Sequence, residues 1–118
     1  MKLIRSFIYA GKGIKYCFIQ EQNFRIHTLA IVVAIFAGCY FRVSSTEWML
    51  IIICCMLVVA MEMINTAMEK MCDLVSRDLH PLIKCIKDVS AGAVLVCAAG
   101  SCIMGAIIFI PKIIQYLK

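Results

Sequence analysis

Glu62 and Glu69 lie inside a long apolar stretch, in the run Glu62-Met-Ile-Asn65-Thr66-Ala67-Met-Glu69. A carboxylate at membrane depth costs ~2.5–3.5 kcal/mol on insertion scales, so two of them with an amide and a hydroxyl between point to use. On a helix at ~100° per residue with Glu62 as origin, Asn65 falls near ~300°, Thr66 near ~40°, Glu69 near ~340° and Asp73 near ~20°. These five polar side chains share one arc, and methionine, isoleucine, alanine and cysteine fill the rest of the turn. A polar stripe on an apolar rod must face protein or a wet cavity, not lipid. Acid, amide and hydroxyl together can hold a divalent cation, accept a proton, or do both. Hydrogen-bond glue between helices would account for Asn65 and Thr66 alone. It accounts poorly for carboxylates at i, i+7 and i+11, which make weak glue without cations.

The elements that must position this stripe are membrane helices. Of 118 residues, 64% are hydrophobic, and the mean hydropathy is +0.96. A soluble domain would be ~45–50% apolar. The length allows one domain and about three spans. Residues 89–110 carry no charge and form the clearest span. The expected architecture is an all-α integral membrane domain over 1–118. It has an amphipathic interfacial helix over 1–22 and transmembrane helices over 24–42, 47–75 and 84–112. In the first of these, Leu3, Ile4, Phe7, Ile8, Gly11, Ile14 and Phe18 recur at spacings of three and four, with Lys2, Arg5, Lys12 and Lys15 mostly between them. That pattern suits a helix lying in the membrane interface, as an anchor or as a lid over a site at the surface. The polar run Gln20-Glu21-Gln22-Asn23 breaks it and bends the chain into the first span, which puts Glu21 level with Glu69. No signal-peptide cleavage pattern precedes that span.

At the other end of the spans, Ser45 or Thr46 is expected to cap the second span, with Trp48 at the membrane interface. Pro81, after His80, suits the first turn of the third. Ala93, Cys97, Ser101 and Gly105 recur every four residues there and make a face for close helix packing. Three thin helices are not expected to enclose the polar stripe, which implies a homo-oligomer with the stripe buried between subunits.

Nine of the twelve Lys and Arg residues precede the first span or fall between the second and third. The positive-inside rule therefore sets the N-terminus and the 70–88 segment in the cytoplasm. The net charge of +5 reads as topology and attraction to anionic lipid. The cations are too scattered for a nucleic-acid patch and lack interleaved aromatics. The eight cysteines include no CxxC pair and sit mostly in apolar runs, as small polarizable hydrophobes rather than zinc ligands or disulfides.

Collected at the cytoplasmic level are Glu21, Glu62, Asn65, Glu69, Asp73, His80, Lys87 and Asp88. Carboxylates with a lysine suit a metal-bound polyphosphate, and a carboxylate not used by the metal could act as base toward a hydroxyl. There is no GxxxxGK[ST] and no kinase-type glycine loop. A cation- or proton-coupled transporter would also explain Glu62, but gives Glu21, Lys87 and Asp88 no role.

The run Glu62-Met-Ile-Asn65-Thr66-Ala67-Met-Glu69, followed by Lys87-Asp88-Val-Ser-Ala91-Gly92-Ala93-Val94, resembles the small prokaryotic diacylglycerol kinase family, and the likeness covers nearly the whole chain. Glu21-Gln-Asn-Phe-Arg-Ile-His27 and His80-Pro81-Leu-Ile-Lys84 look like its Gram-positive branch, whose members are undecaprenol kinases. The diacylglycerol-specific branch typically carries Glu in place of His27. The resemblance implies a homotrimer in the bacterial cell membrane, with active sites shared between subunits, using ATP and Mg2+. It implies that Glu62 is the general base, and that Glu21 and Glu69 hold the metal–ATP complex. Lys87 would contact phosphate; Tyr9, Asp78, Leu79, His80 and Asp88 would make further ATP contacts, and Asn65 would be an active-site amide. Ala10, Phe24, Trp48 and Ala91 would lie near the lipid. Lys2 stands where relatives often have an arginine, and keeps the charge without the bidentate fork. Undecaprenol is the expected acceptor in the bilayer, diacylglycerol the alternative.

Overall fold

The computed structural model describes residues 1–78 and 80–118; Leu79, an expected nucleotide contact, lies outside the described residues. Four helices follow one another: α1 (Lys2–Gln20), α2 (Gln22–Tyr40), α3 (Ser45–Val75) and α4 (Pro81–Leu117). The last three are each long and apolar enough to cross a membrane. At 1.5 Å per residue, α3 and α4 run to roughly 46 and 55 Å, longer than a ~30 Å hydrocarbon core, so their ends reach past it. The chain is a multi-pass membrane protein, with most large apolar side chains on its outside.

α3 packs chiefly on α4 and less on α2, while α1 touches α2 and α3. A single extended residue, Glu21 (φ −110°, ψ 112°), separates α1 from α2. Its side chain therefore stands at the corner between the two helices. Arg25 braces that corner, its guanidinium donating to the Phe18 and Ile19 carbonyls at 3.0 and 2.8 Å. These carbonyls belong to the open end of α1, where a cation also suits the helix dipole.

The turn from α2 to α3 carries Arg42 in the left-handed region, at φ 51°. The residue that caps α3 is Ser44, not Ser45 or Thr46. Its hydroxyl accepts the Glu47 N–H at 3.2 Å, and Glu47 Oε1 accepts the Ser44 N–H at 2.9 Å. The reciprocal box needs an acid three residues after the cap. Only Ser44 has one, since a cap at 45 or 46 would put Trp48 or Met49 there.

This end of the bundle is closed by a small core of Val43, Ile51 and Ile108, with Trp48 packed against it. Gly38 permits the approach of the indole: a Cβ there would lie 2.6 Å from Trp48 Cη2. At the same end Tyr40, Phe41 and Tyr116 meet edge to face, and Phe109 lies tilted against Phe41. Lys112 Nζ meets Glu47 at 3.1 Å. His80 caps α4, its Nδ1 accepting the Leu82 N–H at 3.1 Å, and Pro81 opens the helix. All eight cysteines are free.

Candidate active site

The polar stripe of α3 is buried over its deeper half. Glu62 is 2% exposed, Thr66 3% and Asn65 8%, while Glu69 and Asp73 are half-buried. The cover comes from the same chain. Cys17, near the end of α1, lies beside Thr66. His27 of α2 brings Nε2 to 3.7 Å from Glu62 Oε2. The three spans do not enclose the stripe by themselves, and over its deeper half the further cover comes from α1 of the same chain rather than from a second subunit. The interfacial helix folds back at Glu21 and supplies the missing wall.

Two atoms of this buried group have no hydrogen-bond partner: Asn65 Oδ1 and Thr66 Oγ1. The Asn65 amide spends one N–H on Glu69 Oε1 at 3.3 Å. Buried polar atoms without partners are rare and costly, and point to an unfilled role such as ligand contact. Glu21 and Glu69 both lie within electrostatic reach of Glu62. Among the described residues neither Glu21 nor Glu69 makes an ion pair, although Lys70 lies within electrostatic reach of Glu21 and Lys87 of Glu69. Such a cluster of acids is suited to a cation delivered with a ligand.

The donor set fits magnesium held together with a nucleotide. Among the described residues no three His, Cys, Asp or Glu side chains gather closely enough to hold a metal on their own. Mg2+ commonly takes one or two carboxylates, with substrate phosphates and water completing its shell. Glu21 and Glu69 supply that number of carboxylates.

The other expected residues stand further out. Lys87 donates to Asp73 Oδ1 at 2.9 Å, an ion pair that ties α4 to α3 one turn beyond Glu69. Asp88 takes Lys84 at 2.6 Å on the exposed face of α4. Asp78 is exposed, its N–H donating to Ser76 Oγ. His80 is engaged as a helix cap, as its place before Pro81 suggested. Tyr9 and Ala10 are exposed on α1, and Ala91 on α4. Phe24 is buried at 4% exposure, near the start of α2. Trp48 sits fourteen residues from Glu62 on α3, ~21 Å along the axis, in the core at the far end.

Sequence reasoning gave Cys17 no role, and read His27 as a marker of the branch and as either a lipid-site residue or an interfacial histidine, not as a neighbour of Glu62. Cys17 carried no signal, being one cysteine among eight. His27 had one: a lone imidazole in an apolar helix, six residues after a carboxylate set level with Glu69.

The model for prokaryotic diacylglycerol kinase matches residues 8–109. An undecaprenol kinase of Bacillus subtilis is 39% identical over 112 residues, 95% of this chain and 91% of the other. A diacylglycerol kinase of Synechocystis is 35% identical over 98% of this chain and 66% of its own length. A diacylglycerol kinase of Escherichia coli K12 is 30% identical over 80% of this chain and 78% of its own. The family model reaches from α1 into α4, and the relatives align over 80–98% of the chain. The chain belongs to the prokaryotic diacylglycerol kinase family and is a membrane lipid kinase.

Proposed function

We propose that the chain is an ATP- and Mg2+-dependent kinase that converts undecaprenol to undecaprenyl phosphate by direct in-line transfer. The observation that carries this reading is the buried Glu62, with unpartnered Asn65 and Thr66 atoms beside it and Glu69 further out. Seven residues of helix separate the two acids, ~10 Å along the axis. The deeper acid suits a lipid hydroxyl arriving from the membrane, the shallower one a nucleotide arriving from water. Undecaprenol is favoured as acceptor by the Bacillus subtilis relative, which matches this chain nearly end to end. The second reading, diacylglycerol phosphorylated to phosphatidic acid, is favoured by the Synechocystis and Escherichia coli relatives.

In this mechanism the lipid hydroxyl oxygen attacks the γ-phosphorus. Its O–H bond breaks, Glu62 accepts the proton, and the bond from the γ-phosphorus to the bridging oxygen breaks to release ADP. Glu21 and Glu69 would hold the metal that travels with ATP; when bound, Mg2+ offsets charge on the phosphates. Lys87, free to leave its half-exposed partner Asp73, reaches for phosphate. Asn65 orients Glu69, and its unpartnered Oδ1 stays available to the ligand. Tyr9, Asp78, His80 and Asp88 complete the nucleotide side, and Ala10, Phe24, Trp48 and Ala91 the lipid side. We orient the α1 end toward the cytoplasm of a bacterial cell membrane, because nine of twelve cations flank it. Exposed apolar helix faces and exposed nucleotide-side residues fit a homotrimer whose neighbours complete each site.

The test is transfer of label from γ-labelled ATP, with magnesium, to undecaprenol or diacylglycerol by the purified chain in detergent. We expect label in undecaprenyl phosphate. A preference for diacylglycerol overturns the acceptor assignment, and label in neither lipid overturns the kinase reading.

A further inference from the structure

Glu62 poses a problem that its role as base creates. Its carboxylate is 3% exposed, so a proton taken from the lipid hydroxyl has no direct way to water, and must leave before the next turnover. The groups around it can be considered in turn. Asn65 and Thr66, one turn along α3, do not titrate near neutral pH. Glu21, at the α1–α2 corner, and Glu69, on α3, are the carboxylates assigned to the metal. Cys17 of α1 is a thiol 4% exposed, and burial pushes it up from its ordinary value, so it holds its own proton. α4 and the middle of α3 offer Ser101, Cys102, Cys54 and Cys55 to the cavity beyond.

There remains His27. Its Nε2 is 3.7 Å from Glu62 Oε2, and its side chain is 24% exposed. It approaches the buried acid through Nε2, and about a quarter of its side chain is exposed. The separation is too long for a hydrogen bond, but a shift of well under 1 Å would make one, and catalytic contacts in ligand-free enzymes commonly tighten when substrate binds. Histidine alone among side chains changes charge between about pH 5 and 8 without special tuning, and its two nitrogens let it take a proton on one and release it from the other. His27 also lines the mouth of an apolar cavity of about 190 Å³ between α2, α3 and α4, bounded by Ala34, Ile51, Val58 and Phe109.

We propose that His27 is a positioning residue for the phosphoryl transfer: it holds the Glu62 carboxylate toward the lipid hydroxyl and carries the proton from Glu62 to the membrane surface. The inference rests on the kinase reading. In each cycle the lipid O–H proton passes to Glu62 Oε2, then to His27 Nε2. The Nδ1 proton then leaves to water, and the ring returns to neutral by exchanging which nitrogen bears hydrogen.

The experiment compares the full chain with His27→Gln and His27→Ala in detergent, with ATP, magnesium and undecaprenol or diacylglycerol, from pH 5 to 9. Glutamine keeps the size and a donor but cannot carry a proton. We expect kcat to fall ~10-fold or more in His27→Gln, within the range for losing one proton-transfer partner, with the KM for ATP unchanged. The dependence of kcat on pH should differ in shape between the parent and the variant. Added imidazole should restore part of the kcat of His27→Ala, which separates proton carriage from packing. An active parent whose glutamine variant matches it in kcat and pH profile overturns this inference alone, as does an alanine variant indifferent to imidazole. A parent that labels neither lipid overturns the kinase reading and this inference with it.

Discussion

Glu62→Gln should separate chemistry from folding. The substitution keeps side-chain shape and removes the buried carboxylate that the proposed mechanism uses as base. A positioned general base contributes ~10²–10⁴-fold, or about 2.7–5.5 kcal/mol of barrier at 1.36 kcal/mol per tenfold. Loss of kcat by at least ~100-fold is therefore expected. Stability should move little. Glu62 lies within reach of Glu21 and Glu69, so the neutral amide relieves like-charge repulsion. Asn65 and Thr66, at i+3 and i+4, carry unpartnered buried oxygens that the new N–H groups can reach. A net hydrogen bond of that kind is worth roughly 1 kcal/mol, so the thermal midpoint should stay level or rise. The assay pairs label transfer to lipid with titration of magnesium–ATP binding and a melting curve in the same detergent. Turnover within about three-fold of the parent, with the fold intact, would refute the base assignment, since removing a working base costs far more. Loss of ATP binding along with turnover would refute the division of the two acids by depth.

Three further outcomes test other joints of the structure. Asp73→Asn frees Lys87 from its 2.9 Å partner and should lower the KM for ATP by no more than a few-fold, since exposed pairs are weak; an unchanged KM would mean that Lys87 does not have to leave Asp73. Gly38→Ala sets a methyl 2.6 Å from the Trp48 ring and should destabilise by ~1–3 kcal/mol in a melting curve, with Trp48→Leu in the same chain restoring most of it. Ser44→Ala removes the α3 capping box and should cost ~1 kcal/mol, whereas Ser45→Ala and Thr46→Ala should leave the midpoint unchanged.

Charge, hydropathy and helical spacing were enough to read the spans, the polar stripe and the order of the elements. These are local or one-dimensional properties. A span is a matter of length and composition, and a stripe follows from 3.6 residues per turn. The pairing of Ser44 with Glu47 was legible too, had the spacing of the box been applied to each serine in turn. What the sequence by itself determined was therefore which residues share a face: Glu62, Asn65, Thr66, Glu69 and Asp73. Which helix covers that face is a matter of tertiary structure. The single extended residue Glu21 folds α1 and α2 onto α3, so that Cys17 meets Thr66 and His27 meets Glu62 across 49 and 35 residues of chain. No periodicity within one helix encodes that meeting. It depends on the angle at one corner and on how two helices pack, and it left Glu62 buried while Glu69 stayed half-exposed.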